Sequence, residues 1–147
     1  MNADTSTLNE LIEVLTDGKK FYQEAAHEVT RADLKQFFSR MADTKAAIIV
    51  DLQGQVWADG KKPAQRGTLA GTLRKGYAEL RTKMAGDKEM EYIAQLEQFE
   101  DRILHSFRHA VKESDDPSVR MVADKYLPEV LRNHNEMRDL KRGMTKH

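Results

Sequence analysis

Lys45 lies among Met41, Ile48, Ile49 and Leu52, three, four and seven positions away, so an ammonium falls in the middle of the apolar face of a helix. Further along, Glu100 occupies the centre of a second apolar face, between Leu96 and Ile103, with Glu97 at its edge. Charges placed on such faces need partners, because an unpaired ion taken out of water is costly. Two readings of Lys45 stand. Its methylenes can lie along the core while the ammonium reaches solvent, or it can pair with Glu100 between the helices. The second is the expectation adopted. His134 falls on the flank of the apolar face of the last helix. Tyr22 and Tyr126 point inward and could donate hydrogen bonds to a buried charge, although a tyrosine at such a position also serves as core filler with its hydroxyl near the edge. His105 and His109 have the i, i+4 spacing that can hold a metal on one helix face, but they point away from the apolar side and are expected to be solvated. Gly18, inside a helical pattern, either marks a bend after Asp17 or opens space opposite the charged pair.

Five helices must position these residues. Only three prolines and eight glycines punctuate the chain, and Gly60, Pro63, Gly67, Gly86, Pro117 and Gly143 fall between or at the ends of segments with apolar residues three and four apart. The pattern predicts helices over about 6–30, 32–58, 68–85, 88–113 and 117–143. Asp87 is the expected N-cap of the fourth. Asp116-Pro117 is a strong start signal for the fifth, since the carboxylate can cap free amides and proline at the first helical position loses nothing. Pro128 should kink that helix. The third helix, about 68–85, carries Leu69, Leu73, Tyr77, Leu80 and Met84, is shorter than the rest, and is read as a crossover lying against the outside. The four long helices, each about 25 residues and so about 37 Å long, then form two antiparallel hairpins, and the second and fourth helices run parallel. Aligning their starts near Asp33 and Lys88 puts Lys45 level with Glu100, with Gly18 and Lys19 at the same height. Trp57 falls off the inward face of its helix and is expected beneath the crossover helix or in a subunit contact.

Composition narrows the classes of function. A chain of 147 residues suits one domain, 1–147, with one core. The absence of cysteine excludes thiolate metal sites, thiol nucleophiles and redox pairs. Basic and acidic residues balance at 24 each and alternate rather than forming a block that could track a phosphate backbone, so no nucleic-acid partner is expected. The cluster Arg138, Lys141, Arg142 and Lys146 is read as cations meeting the negative end of a helix dipole. No apolar run approaches the ~20 residues that span a bilayer, so no membrane partner is expected. Met1-Asn2-Ala3-Asp4 lacks the order of a signal peptide, and the expected location is cytoplasmic.

Leu11, Asp17-Gly18, the stretch from Tyr22 to Ala26, the stretch from Gly67 to Gly71, and Glu97-Gln98-Phe99-Glu100-Asp101 together resemble an uncharacterised bacterial family of ferritin-like four-helix bundles, grouped as a domain of unknown function. The resemblance covers nearly the whole chain. It implies an all-α, ferritin-like four-helix bundle of two antiparallel hairpins with a helical crossover, and brings no activity with it. The wider ferritin-like superfamily often holds two iron or manganese ions, using a Glu from each of two helices and a Glu-x-x-His pair from each of the others. Here the sole Glu-x-x-His is Glu24 with His27, and Glu24 points almost opposite to the Leu15 and Tyr22 stripe, so it is expected in solvent. Asp43 also points outward, and the residue three positions before His134 is Leu131, which cannot ligate. No complete di-metal shell is expected.

Two classes of function follow. The first is a non-enzymatic binding or stress-associated protein without a cofactor, its polar centre formed by Lys45, Glu100, Glu97, His134 and Tyr22. The second is an iron- or manganese-binding protein or oxidase with an unconventional shell of Glu97, Glu100 and His134. The sequence favours the first, with no catalytic residue assigned, and leaves open a homo-oligomer or an unidentified protein or small-molecule partner.

Overall fold

The computed structural model describes residues 5–67 and 70–145. Five helices account for most of them: α1 (Thr5–Glu28), α2 (Ala32–Ala58), α3 (Ala70–Arg81), α4 (Ala85–Glu113) and α5 (Pro117–Thr145). Met1 to Asp4, Thr68 at the expected start of the third helix, Leu69, Lys146 and His147 lie outside the described residues, as does the side chain of Leu73. Among the described residues no helix is long and apolar enough to cross a membrane.

Local chemistry sets the ends. After α1 the backbone turns through three residues, and Lys35 in α2 donates to the carbonyls of Ala26 (3.0 Å) and His27 (3.2 Å), which have no partner further along α1. Gly60 ends α2 with φ of +75°, a conformation that suits glycine, and the amides of Gly60 and Lys61 bond back to Trp57 and Val56. At the start of α5 the Asp116 carboxylate accepts from the Ser118 amide at 2.9 Å, as the Asp-Pro pair implied. A hydrogen bond from the Ser118 hydroxyl, and then this amide bond, hold the Asp116 carboxyl below the usual range. The helix continues through Pro128.

Two boundaries differ from the periodicity. α3 is shorter than expected, ending at Arg81, where the amides of Thr82 and Lys83 bond back to Glu79 and Leu80 and close the helix tightly. α4 then begins at Ala85, with Met84 rather than Asp87 in the N-cap position and the Lys88 amide bonding to the Met84 carbonyl at 2.7 Å. Asp87 sits in the first turn, where its charge still favours the helix dipole.

Packing joins α1 to α2, α4 to α5, and α1 to α4 over long stretches, while α2 and α5 touch more sparingly. Tyr22 against Phe38 and Ala26 against Lys35 make α1 and α2 antiparallel, and Glu97 against Lys141 and Asp101 against His134 do the same for α4 and α5. α3 lies across α1 and α4. The interior holds two apolar clusters. One includes Leu15, Ile48, Ile103 and Val130, and the other includes Phe21, Met41, Phe99 and Met137. Along every long helix the boundary between the two falls at Gly18, Lys45, Glu100 or Asn133.

Candidate functional site

The boundary between the apolar clusters is a polar layer. Lys45 and Glu100 are 1% and 0% exposed, and Lys45 Nζ lies 2.5 Å from Glu100 Oε1. The Tyr22 hydroxyl, also fully buried, donates to the same oxygen at 2.8 Å. The ammonium sits 4.9 Å from the centre of the Tyr22 ring, within cation–π range. One carboxylate oxygen thus accepts from both neighbours, and Oε2 has no hydrogen-bond partner among the described residues. Burial, reinforced by the Glu100 charge and hydrogen bond and by Glu136, pushes the Tyr22 phenol well above its ordinary pKa, so it remains a donor.

Gly18 lies where α1 meets this layer. A β-carbon there would lie 3.6 Å from Lys45 Cε, an ordinary contact, and 3.0 Å from Ile103 Cδ1, a tight one. The missing side chain thus eases the approach of α1 to Ile103, and α1 runs unbroken through the glycine. Asn133, 5% exposed, brings α5 to the same boundary, between Val130 and Met137. Sequence reasoning passed over it in favour of His134. The signal was present, since 130, 133 and 137 are spaced by three and four.

Glu97 and His134 lie elsewhere. They line an open cleft of about 370 Å³ on the α4/α5 side. There Lys141 donates to Glu97 at 3.0 Å, and His134 Nε2 stands 2.6 Å from Asp101. Glu97, Glu100 and His134 therefore do not converge. Among the described residues no group of three or more His, Asp or Glu side chains could hold a metal ion. Iron or manganese, which the resemblance to ferritin-like bundles implies, does not fit the donors at the centre, where an ammonium and a phenol both occupy Glu100 Oε1 and Lys45 already supplies a positive charge beside it. Tyr126 donates to Asp51 at the α2/α5 edge rather than to the central layer, with Lys125 3.3 Å from the same carboxylate. That phenol holds the Asp51 carboxyl below the usual range. His105 and His109 stack with ring centres 6.5 Å apart on the exposed side of α4.

Glu24 corrects the helical-wheel reading. It is 9% exposed, accepts a 2.6 Å hydrogen bond from the buried Tyr92 hydroxyl, and pairs with Arg81, whose Nε donates at 3.0 Å. A single apolar stripe describes α1 only where it faces the long helices, and α3 covers a second side of it. Arg81 also reaches toward Glu28, which Lys88 approaches to 3.4 Å, so α1, α3 and α4 are joined by one charged network. Near it, a cleft of about 440 Å³ opens between α3 and α4 over Phe21, Leu80 and Phe99. Trp57, expected beneath the crossover helix or at a subunit contact, is 58% exposed, so α3 does not cover it.

Residues 4–113 match the family described as a domain of unknown function (DUF2383), a match that ends before α5. No curated protein matches the chain.

Proposed function

The chain belongs to the DUF2383 family, and from that premise and the geometry above we propose that it is a non-enzymatic, ferritin-like four-helix bundle, a binding or stress-associated protein with a charged layer where its architectural relatives hold two metals. In this reading residues 1–147 form one domain, α1–α2 and α4–α5 are its hairpins, and α3 is the crossover. The observation that carries it is the 2.5 Å contact of Lys45 Nζ with Glu100 Oε1 between the long helices. An ammonium supplies, from inside the chain, the positive charge that a metal ion would otherwise bring to a buried carboxylate. Lys45, Glu100 and Tyr22 are each no more than 1% exposed, which suits a layer that holds the helices in register.

The test is elemental analysis of tag-free protein, loaded anaerobically with iron or manganese and then desalted. Fewer than two ions per chain should remain. Two tightly held ions per chain, lost in Glu100→Gln, would overturn the proposal.

A further inference from the structure

The outward side of α2 carries a second hydrophobic pattern, and nothing among the described residues covers it. Val50 is 67% exposed and Trp57 is 58% exposed. Both belong to a run of exposed residues along α2, Asp43, Ala47, Val50, Gly54 and Trp57, spaced four, three, four and three, with the exposed Lys61 following just beyond the helix end. That is the spacing of a coiled-coil seam, which keeps one stripe facing a partner helix. The side chains alternate in size, and Gly54 has open space all round it, since a β-carbon there would touch nothing within 4 Å. A mid-helix glycine is unfavourable unless something uses the room it leaves.

We propose that this face is a homodimer interface in which α2 packs antiparallel against α2 of a second copy about a two-fold axis level with Leu52. The occupant follows from the self-complementarity of the run. Positions equidistant from residue 52 face each other across such an axis, so each partner's Trp57 covers Ala47, and each partner's Val50 fills the space over Gly54. Asp43 near one end meets Lys61, in the turn that closes α2, at the other. Both are exposed and neither makes an ion pair among the described residues of its own chain. A parallel pairing would set Trp57 against Trp57 and Asp43 against Asp43, with like charges opposed. The charges and the sizes therefore favour a second copy in the antiparallel sense. This inference concerns the outside of α2 and does not depend on what the central layer does.

Sedimentation equilibrium of the full chain over a range of concentrations tests it, with the single tryptophan as an optical probe. The wild type should reach a dimer, with Trp57 emission shifting to the blue as it forms. Asp43→Lys and Lys61→Asp should each weaken the homodimer about tenfold or more, and mixing those two variants should restore a heterodimer whose contacts are complementary at both ends. Gly54→Ala separates interface from fold, because alanine favours the helix of the single chain while crowding Val50 of its partner. It should raise monomer stability and lower dimer affinity together. A chain that stays monomeric at its highest soluble concentration would overturn the proposal. So would a dimer indifferent to the charge substitutions and to Gly54→Ala.

Discussion

Lys45 and Glu100 meet across the middle of the helical array, 2.5 Å apart and all but absent from the surface, with the Tyr22 hydroxyl as the third member of the contact. Their worth to the fold is unequal to the cost of separating them. Desolvating two ions can cancel their attraction, so the intact pair need contribute little, whereas removing one partner strands a buried charge. The layer therefore acts most strongly against misalignment, since any slip of α2 against α4 would separate the two.

Tyrosine ionisation gives the pH prediction. Burial is the first cause of the upward shifts of Tyr22, Tyr77 and Tyr92. Their folded pKa values exceed the unfolded ones, so the stability they contribute is fully present below about pH 10, the ordinary phenol value, and is lost as pH rises toward the folded values. Chemical denaturation across that range should show stability falling with pH, and the fall should be shallower in Tyr22→Phe. An unchanged slope in that variant would show that Tyr22 ionises as freely folded as unfolded.

The hold of α3 on α1 and α4 depends on Glu24, which joins Arg81 to the Tyr92 hydroxyl. Glu24→Ala leaves a buried phenol without its acceptor, at a cost of about 1 to 3 kcal/mol. Hydrogen exchange of the α3 amides should quicken in the variant while α5 is unaffected. Equal acceleration everywhere would mean that Glu24 supports the whole fold and not α3 alone.

Glycines 67 and 18 should respond differently to alanine. A β-carbon at Gly67 would overlap the buried Asp17 carboxylate, and relieving that overlap should cost roughly 1 to 3 kcal/mol. At Gly18 the closest obstacle is Ile103 Cδ1, the end of a flexible side chain. The gain in helix propensity, about 1 kcal/mol, offsets the crowding there. Thermal denaturation of both variants checks the contrast, and a Gly67→Ala protein as stable as wild type would show that the approach of the loop to Asp17 is not tight in solution.

The Lys45–Glu100 contact was legible because both residues interrupt apolar stripes, and a parallel alignment of two long helices needs only their starting points. The Asp-Pro start of α5 was legible for local reasons, the cap and the fixed proline φ both lying within a few residues. Glu24 was not legible. Its burial comes from α3, an element distant in sequence that covers a side of α1 which periodicity marks as polar. Asp87 failed as a cap because the tight closure of α3 after Arg81 sets where α4 can begin, and no feature of Asp87 itself records that. Arg81 belongs to the same class, since it meets Glu24 only where α3 crosses α1, and Tyr92 meets Glu24 only where α4 packs against α1. Asn133 could have been found by spacing alone.

The most direct measurement of the central layer is a double-mutant cycle on Lys45→Met and Glu100→Gln, read by chemical denaturation. Lys45→Met keeps most of the side-chain volume but strands the carboxylate, and should cost roughly 3 to 5 kcal/mol at neutral pH. The loss should shrink as the pH is lowered, because a proton on the stranded carboxylate removes its charge. The double variant should cost clearly less than the sum of the single ones. If the two costs simply add, the ammonium and the carboxylate are not a coupled buried pair, and the proposal that they stand in the place of a metal centre is contradicted.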